Sequence, residues 1–254
     1  RNPLITSYGL DTSALFGFIN QVLKLIRKES PDFLVCAFDS KGKNFRHEMY
    51  NLYKANRPEM PIELQNQLPH LWESLNALRI PIIKKKGFEA DDIIGTLVTE
   101  AERHGLLSYI VSGDKDFMQL INEKVFLYAP GSRKSPDPII YDSKKVEERW
   151  GVPPQKIIDL LGLMGDSSDN VPGVSGIGEK TAVKLIKEYG SLEGALDNAL
   201  EMAQNLTDTR SRILDTDYAA ELAELAKLQI MQQATNAMMA QANTTPQSVL
   251  AMLT

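Results

Sequence analysis

Apolar residues recur at helical spacing between residues 13 and 28, where Leu15, Ile19, Val22, Leu23 and Ile26 share one stripe. That period predicts an amphipathic helix. Phe33-Leu34-Val35-Cys36-Ala37-Phe38 is instead an unbroken apolar run, bounded by Ser30-Pro31-Asp32 and by Asp39-Ser40-Lys41-Gly42. Such a run predicts a buried strand ending at a loop, with Asp39 at its carboxyl end. A helix is predicted through Leu64, Leu68, Leu71, Leu75 and Leu78, and a strand over residues 80 to 83. Another helix opens at Glu89 and runs through Ile93, Ile94, Leu97 and Val98, and a strand over residues 106 to 111 closes at Ser112-Gly113-Asp114. Alternation of strands and helices at these lengths predicts an α/β fold with a largely parallel central sheet flanked by helices.

From Ile139 the pattern turns helical. Pro153-Pro154 is placed to start a helix through Ile157, Ile158 and Leu161. Gly173-Val174-Ser175-Gly176-Ile177-Gly178 separates it from a second helix, Glu179 to Tyr189, which Gly190 ends. Between Asp217 and Asn243 there is neither Gly nor Pro, and Leu222, Ala226, Ile230, Ala234, Ala237 and Ala240 repeat at helical spacing. A long C-terminal helix with so thin a stripe suits pairing with another helix, and packing on the preceding helices is the plainer alternative. The chain thus divides into an α/β core over residues 1–143, a helical subdomain over 144–200 and a helical tail over 201–254.

Composition excludes several classes of protein. No apolar run reaches the roughly eighteen residues of a membrane span, so no membrane partner is expected. His47, His70 and His104 lack ligand spacing, which argues against a histidine-built zinc site. The one cysteine, Cys36, sits in an apolar run as a small hydrophobe, in keeping with a reducing, cytoplasmic compartment. The opening Arg1-Asn2-Pro3 is no secretory signal and has no starting Met, so a piece of a longer product is expected. Net charge is −5, which by itself disfavours nucleic acid. Its distribution reverses that inference. Lys41, Lys43, Arg46, Lys54 and Arg57 face only Glu48 between residues 41 and 57, Lys84-Lys85-Lys86 forms a second basic knot, and the acids gather in tight clusters.

Those clusters carry the candidate chemistry. Glu89, Asp91 and Asp92 open a helix, with Glu89 and Asp92 three apart and on one face. A single acid there would need only the helix dipole as its reason; three suggest a shared cation. Asp114 and Asp116 follow an apolar strand, as Asp39 does, and α/β sheets place ligands at the carboxyl ends of their strands. Asp166 and Asp169 lie in a Gly-Asp-Ser-Ser-Asp-Asn segment that is either a plain turn or a further part of the same rim. Acids converging on one rim require cations against their repulsion, and all-oxygen ligands favour Mg²⁺, with Mn²⁺ as substitute. Two such ions about 4 Å apart can hydrolyse a phosphodiester.

Two further elements suit DNA. Gly173, Gly176 and Gly178 can bring backbone N–H groups to a phosphate at a helix N-terminus, with Lys180, Lys184 and Lys187 adding charge, unless the segment is a plain interhelical loop. In residues 45 to 57, Tyr50 and Tyr53 can stack on bases while Arg46, Lys54 and Arg57 grip phosphates, unless the stretch is a solvated amphipathic face.

Asp39 in Ala37-Phe38-Asp39, Phe45-Arg46-His47-Glu48, Tyr53-Lys54-Ala55-Asn56-Arg57, Gly87-Phe88-Glu89-Ala90-Asp91-Asp92, Gly113-Asp114-Lys115-Asp116 and the run from Gly165 to Ala182 resemble the 5′ nuclease domain of bacterial DNA polymerase I, of the flap endonuclease family. The resemblance covers roughly residues 1 to 195. It implies a flap endonuclease and 5′-3′ exonuclease acting on 5′ flaps, nicks and RNA primers. It implies Asp39, Glu89 and Asp91 around one metal ion and Asp114, Asp116 and Asp166 around another, with Asp92 and Asp169 acting nearby. It also implies a helical arch near residues 45–62, with Lys54 and Arg57 at the reacting phosphate. Residues 173 to 180 would form a helix-turn-helix element, which in relatives also holds K⁺. Relatives begin with a further strand ending in an Asp ligand, so a catalytically silent DNA-binding module is the alternative expectation. Residues 203 to 254 resemble the C-terminal helix of bacterial flagellin, which implies a helix-pairing partner and a third reading, a helical assembly protein.

Overall fold

The structure, a computed structural model, describes residues 4–7, 9–131, 137–211 and 227–233. In chain order its helices are α1 (Ser13–Glu29), α2 (Phe45–Met49), α3 (Ile62–Gln65), α4 (Leu68–Ala77), α5 (Ala90–Arg103), α6 (Ser143–Trp150), α7 (Ile157–Met164), α8 (Glu179–Tyr189) and α9 (Leu192–Ser211). The strands are β1 (Cys36–Ala37), β2 (Ile82–Ile83), β3 (Ser108–Val111), β4 (Val125–Ala129), β5 (Ile139–Tyr141), β6 (Gly165–Asp166) and β7 (Val171–Pro172). They form two compact units, one of residues 1–44 and 56–93, the other of residues 45–55 and 94–254.

The first unit is built on the stripe read from the sequence. Leu15, Ile19, Val22 and Ile26 of α1 pack with Leu71 and Leu75 of α4 and with Ile80; Leu23 is not among the residues packed there. The N-cap residue of α1, Thr12, makes no side-chain cap bond, although Asp11 Oδ1 accepts from the Ser13 N–H at 2.7 Å. The side-chain Oε1 of the buried Gln67 accepts from the next two N–H groups, those of Ala14 and Leu15, at 3.0 Å each. Two orphan donors of a helix start are thereby satisfied from a distant residue. The strand expected over residues 33 to 38 is much shorter. Only Cys36 and Ala37 pair with β2, in parallel, while Phe33 is 82% exposed and Val35 40%. Among the described residues β1 has β2 as its sole neighbour, so outward-facing hydrophobes of the run have no second strand to cover them.

In the second unit the strand order is β3-β4-β5. β3 runs parallel to β4 from Ser108↔Val125 to Val111↔Tyr128, and β5 returns antiparallel through Leu127↔Tyr141. The fold is α/β, as expected, and the three-stranded sheet is mixed, with one parallel and one antiparallel pairing. The texture at Ile139 was expected to be helical; it is strand β5, and helix begins only at Ser143, where Asp142 accepts from Lys145 N–H at 2.8 Å as its N-cap. Ile110, Val125 and Leu127 of the sheet share one core with Val146, Leu160, Ala182 and Ile186 of the helices. No helix of the described residues is long and apolar enough to cross a membrane.

Between α7 and α8 the chain doubles back through β6 and β7. Gly165 has φ +75°, and a Cβ placed on it would collide with the backbone of Gly173, just as a Cβ on Gly173 would collide with the backbone of Met164. The two glycines therefore let backbone lie directly on backbone. Gly173→Ala should destabilise the second unit by about 2 kcal/mol or more, since overpacking against main chain cannot be relieved by a rotamer change. Thermal melting followed by circular dichroism checks this, with a drop of about 4–8 °C expected.

Candidate active site

Each compact unit gathers one set of the acids singled out in the sequence. In the first unit they surround the start of α5. Glu89 stands at the N-cap position and is buried, and its side chain accepts from Asn44 Nδ2 at 2.7 Å. Asp92, also buried, reaches back to the Glu89 N–H at 2.9 Å, the reciprocal half of a capping box. Asp39 Oδ1 accepts from the Ala90 N–H at 2.7 Å, and Asp91 is exposed. The helix start thus holds Asp39 and Asp92 through its own backbone donors, and Asn44 holds the Glu89 side chain. Asn44 was not found from the sequence. Its only signal is a small amide just before the Phe45-Arg46 motif.

In the second unit Asp114 caps a short 3₁₀ helix, accepting from the Asp116 N–H at 3.0 Å, while its own N–H donates to Ser112 Oγ at 3.0 Å. Asp166 Oδ1 accepts from the Ser168 N–H at 2.8 Å. Burial pushes the Asp116 carboxyl up to about 6, and the charges of Asp114, Asp166 and Asp169 push it the same way, against a smaller lowering by Lys115. Asp116 Oδ1 is buried and has no hydrogen-bond partner. An orphaned carboxylate oxygen among like charges is what a cation site presents before the cation arrives. Among the described residues, no three His, Cys, Asp or Glu side chains form a ready-made metal cage.

The basic segment is placed differently from expectation at one residue. Tyr53, expected to stack on bases, is only 5% exposed; its hydroxyl donates to Asp169 Oδ2 at 2.8 Å and His47 packs edge-on against its ring. Lys54, at φ +55°, donates its N–H to the Asp169 carbonyl at 2.9 Å, and its Nζ lies 3.7 Å from Asp169 Oδ2. Asn170 Nδ2 closes the arrangement on the Leu52 carbonyl at 2.7 Å. Arg46 lies over the Phe45 ring, 4.6 Å from its centroid, Tyr50 is half-buried, and Arg57 is exposed in the first unit. The arch expected near residues 45–62 is helical only in α2, with turns over residues 51–56.

Of the glycines expected at a phosphate, Gly173 is spent on packing against residues 164 and 165. Gly176, at φ +80°, and Gly178, the N-cap of α8, have open space where a Cβ would stand. Lys180 is exposed in the first turn of that helix.

Two family profiles match the chain in succession. Residues 1–151 match "5′-3′ exonuclease, N-terminal resolvase-like domain" and residues 152–245 match "5′-3′ exonuclease, C-terminal SAM fold". A 5′-3′ exonuclease of Aquifex aeolicus is 38% identical over 216 residues, which span 85% of this chain and 73% of that protein. The chain belongs to the 5′-3′ exonuclease family. DNA polymerase I of Caldicellulosiruptor bescii is 41% identical over 227 residues, 88% of this chain but 26% of that protein, so the chain spans about a quarter of the polymerase. The same fold occurs in a bacteriophage T5 5′-exonuclease with bound zinc, at 20% identity and a TM-score of 0.65 over 91% of this chain and 82% of that one. It occurs also in the catalytic core of Rad2 bound to DNA, at 17% identity and a TM-score of 0.53 over 91% of this chain and 73% of that one. The match to the second profile extends through most of the tail likened to flagellin, a likeness these findings do not support. Much of that tail, including residues 212–226 and 234–254, lies outside the described residues; residues 227–233 are helical.

The raised Asp116 carboxyl has a consequence for stability. Below pH 4 the group is protonated folded or unfolded and contributes nothing. Between about 4 and 6 the unfolded chain gives up its proton first, so stability falls as pH rises, and above 6 the loss is constant. Without divalent cations, Asp116→Asn should therefore stabilise the protein at pH 8 by on the order of 1 kcal/mol, after discounting for solvent screening. The gain should vanish at pH 4. Thermal melts of both proteins in chelator at the two pH values check it.

Proposed function

We propose that this chain is a structure-selective 5′-3′ exonuclease and 5′ flap endonuclease that hydrolyses phosphodiesters of DNA and of primer RNA. The observation that carries the reading is the Asp116 neighbourhood, in which a buried carboxylate oxygen lacks a partner while three further acids press on it. Family membership supports it, because every acid involved lies within the matched segments.

Asp39, Glu89 and Asp91 would hold one divalent ion and Asp114, Asp116 and Asp166 a second, Mg²⁺ by preference with Mn²⁺ as substitute. When bound, such ions supply an activated water nucleophile and offset charge on the leaving oxygen. The protein's part is placement. Capping bonds fix Asp39, Glu89 and Asp92 at the head of α5, and the Gly165–Gly173 contact folds Asp166 and Asp169 into the same unit as Asp116. Asp169 and Asp92 act beside the ligands, and Lys54 and Arg57 offset charge on the reacting phosphate.

Residues 1–143 would carry the catalytic core and residues 144–200 the grip on duplex. There the open N–H groups at Gly176 and Gly178, with Lys180, take backbone phosphates without reading sequence. A K⁺ ion at this helix-turn-helix element belongs to the same reading. A cytoplasmic setting agrees with the half-buried Cys36, whose thiol burial pushes up and so renders unreactive. The flagellin-like tail rests on its sequence motif alone and takes no part in this chemistry.

A labelled 5′ flap incubated with and without Mg²⁺ tests the proposal. Cleavage leaving a 3′-hydroxyl and a 5′-phosphate is expected only with Mg²⁺. Flap binding without turnover would decide instead for a silent DNA-binding module. Asp116→Asn should lower turnover by at least about 10³-fold, roughly 4 kcal/mol of barrier, while flap affinity stays within about twofold. In a binding assay on several duplexes, Lys180→Ala should weaken all of them alike and reduce the salt slope by about one.

A further inference from the structure

At the carboxyl end of β2, the side chain of Lys84 lies over two aromatic rings. Its Nζ is 3.3 Å from the ring centroid of Trp72 on α4 and 5.3 Å from that of Phe38, which follows β1. Three elements of the first unit thus converge on one ammonium group. Partial burial lowers its pKa, and the charge of Lys41 lowers it further, which places a second cation within electrostatic reach. Among the described residues neither Lys84 nor Lys41 has a carboxylate partner. Nε1 of the same Trp72 is buried and hydrogen bonds to nothing. Ring faces offset only part of an ammonium's charge, and they leave its N–H donors unused.

An ammonium fixed on two ring faces, with a second cation in electrostatic reach and no carboxylate on either, calls for an anion from outside. The position narrows it. Phe38 immediately precedes Asp39, and the carboxyl ends of parallel strands are where such sheets meet their ligands. A lysine ordinarily loses much rotamer freedom when it grips a phosphate; one already laid on an indole has lost it in advance. We propose that Lys84, held on Trp72 and Phe38, is a docking point for an internal backbone phosphate of DNA arriving at Asp39. The inference rests on the nucleic-acid reading above and names a contact outside the metal ligands and outside the Gly176–Lys180 element.

Anisotropy titrations of a labelled 5′-flap duplex with the full chain, in chelator and over a series of salt concentrations, test it. Lys84→Gln should weaken binding about three- to tenfold and lower the slope of log K against log salt by about one, whereas Lys84→Arg should stay within about twofold. The loss should be equal for 5′-phosphorylated and 5′-hydroxyl flaps. An unchanged slope in Lys84→Gln would overturn the proposal, even if that variant melts at a lower temperature, since a purely structural cation–ring contact moves stability and not the slope. A loss confined to 5′-phosphorylated flaps would overturn the assignment to an internal phosphate. Failure of the unsubstituted chain to bind any flap would remove the nucleic-acid reading and this contact together. Binding without Mg²⁺-dependent cleavage would remove the catalytic reading and leave the contact standing.

Discussion

Repulsion between carboxylates is the constraint around which the second unit is arranged. Asp116 is half-withdrawn from water and faces the charges of Asp114, Asp166 and Asp169, so its ionised form is disfavoured in the folded chain. Packing alone gives no reason to assemble such a group. The assembly persists because each neighbour is tied down by its own hydrogen bond: Asp114 as a cap, Asp166 by the Ser168 N–H, Asp169 by the Tyr53 hydroxyl. The core of Ile110, Leu127, Leu160 and Ala182 supplies the stability against which that local cost is set.

The first unit solves a related problem differently. Its acids sit at the head of a helix, where unpaired backbone N–H groups already favour negative charge. Asp39, Glu89 and Asp92 are consequently satisfied one by one, through Ala90 N–H, Asn44 and Glu89 N–H. The two sets of carboxylates are thus held by opposite means, one by compensation and the other by confinement.

Much of this was legible in the chain because it rests on local rules. The α1 stripe, the Gly190 stop of α8 and the position of Asp39 after its strand all follow from period and punctuation, and the acid motifs follow from spacing. What was not legible depends on partners remote in sequence. Whether Phe33 is covered depends on which strands flank β1, and nothing in the run itself reports that. β5 was missed because the pattern from Ile139 onward reads as helical, whereas Ile139 and Ile140 are exposed residues on a short returning strand. Tyr53 was read as a stacking ring because aromatic and basic residues alternate around it; its burial is set by Asp169, more than a hundred positions away. Gln67 and Asn44 escaped for the same reason, since a buried amide advertises its role only once its acceptor or donor is in place.

The contact between residues 52–54 and 169–170 has a mechanical corollary. Main-chain and side-chain bonds run in both directions across it: Lys54 N–H to the Asp169 carbonyl, Tyr53 hydroxyl to the Asp169 carboxylate, Asn170 amide to the Leu52 carbonyl. Moving residues 52–54 would stretch the same bonds that orient the Asp169 carboxylate. The bearing of an acidic oxygen and the path of the basic segment are therefore fixed by one shared set of bonds, and neither can be altered alone.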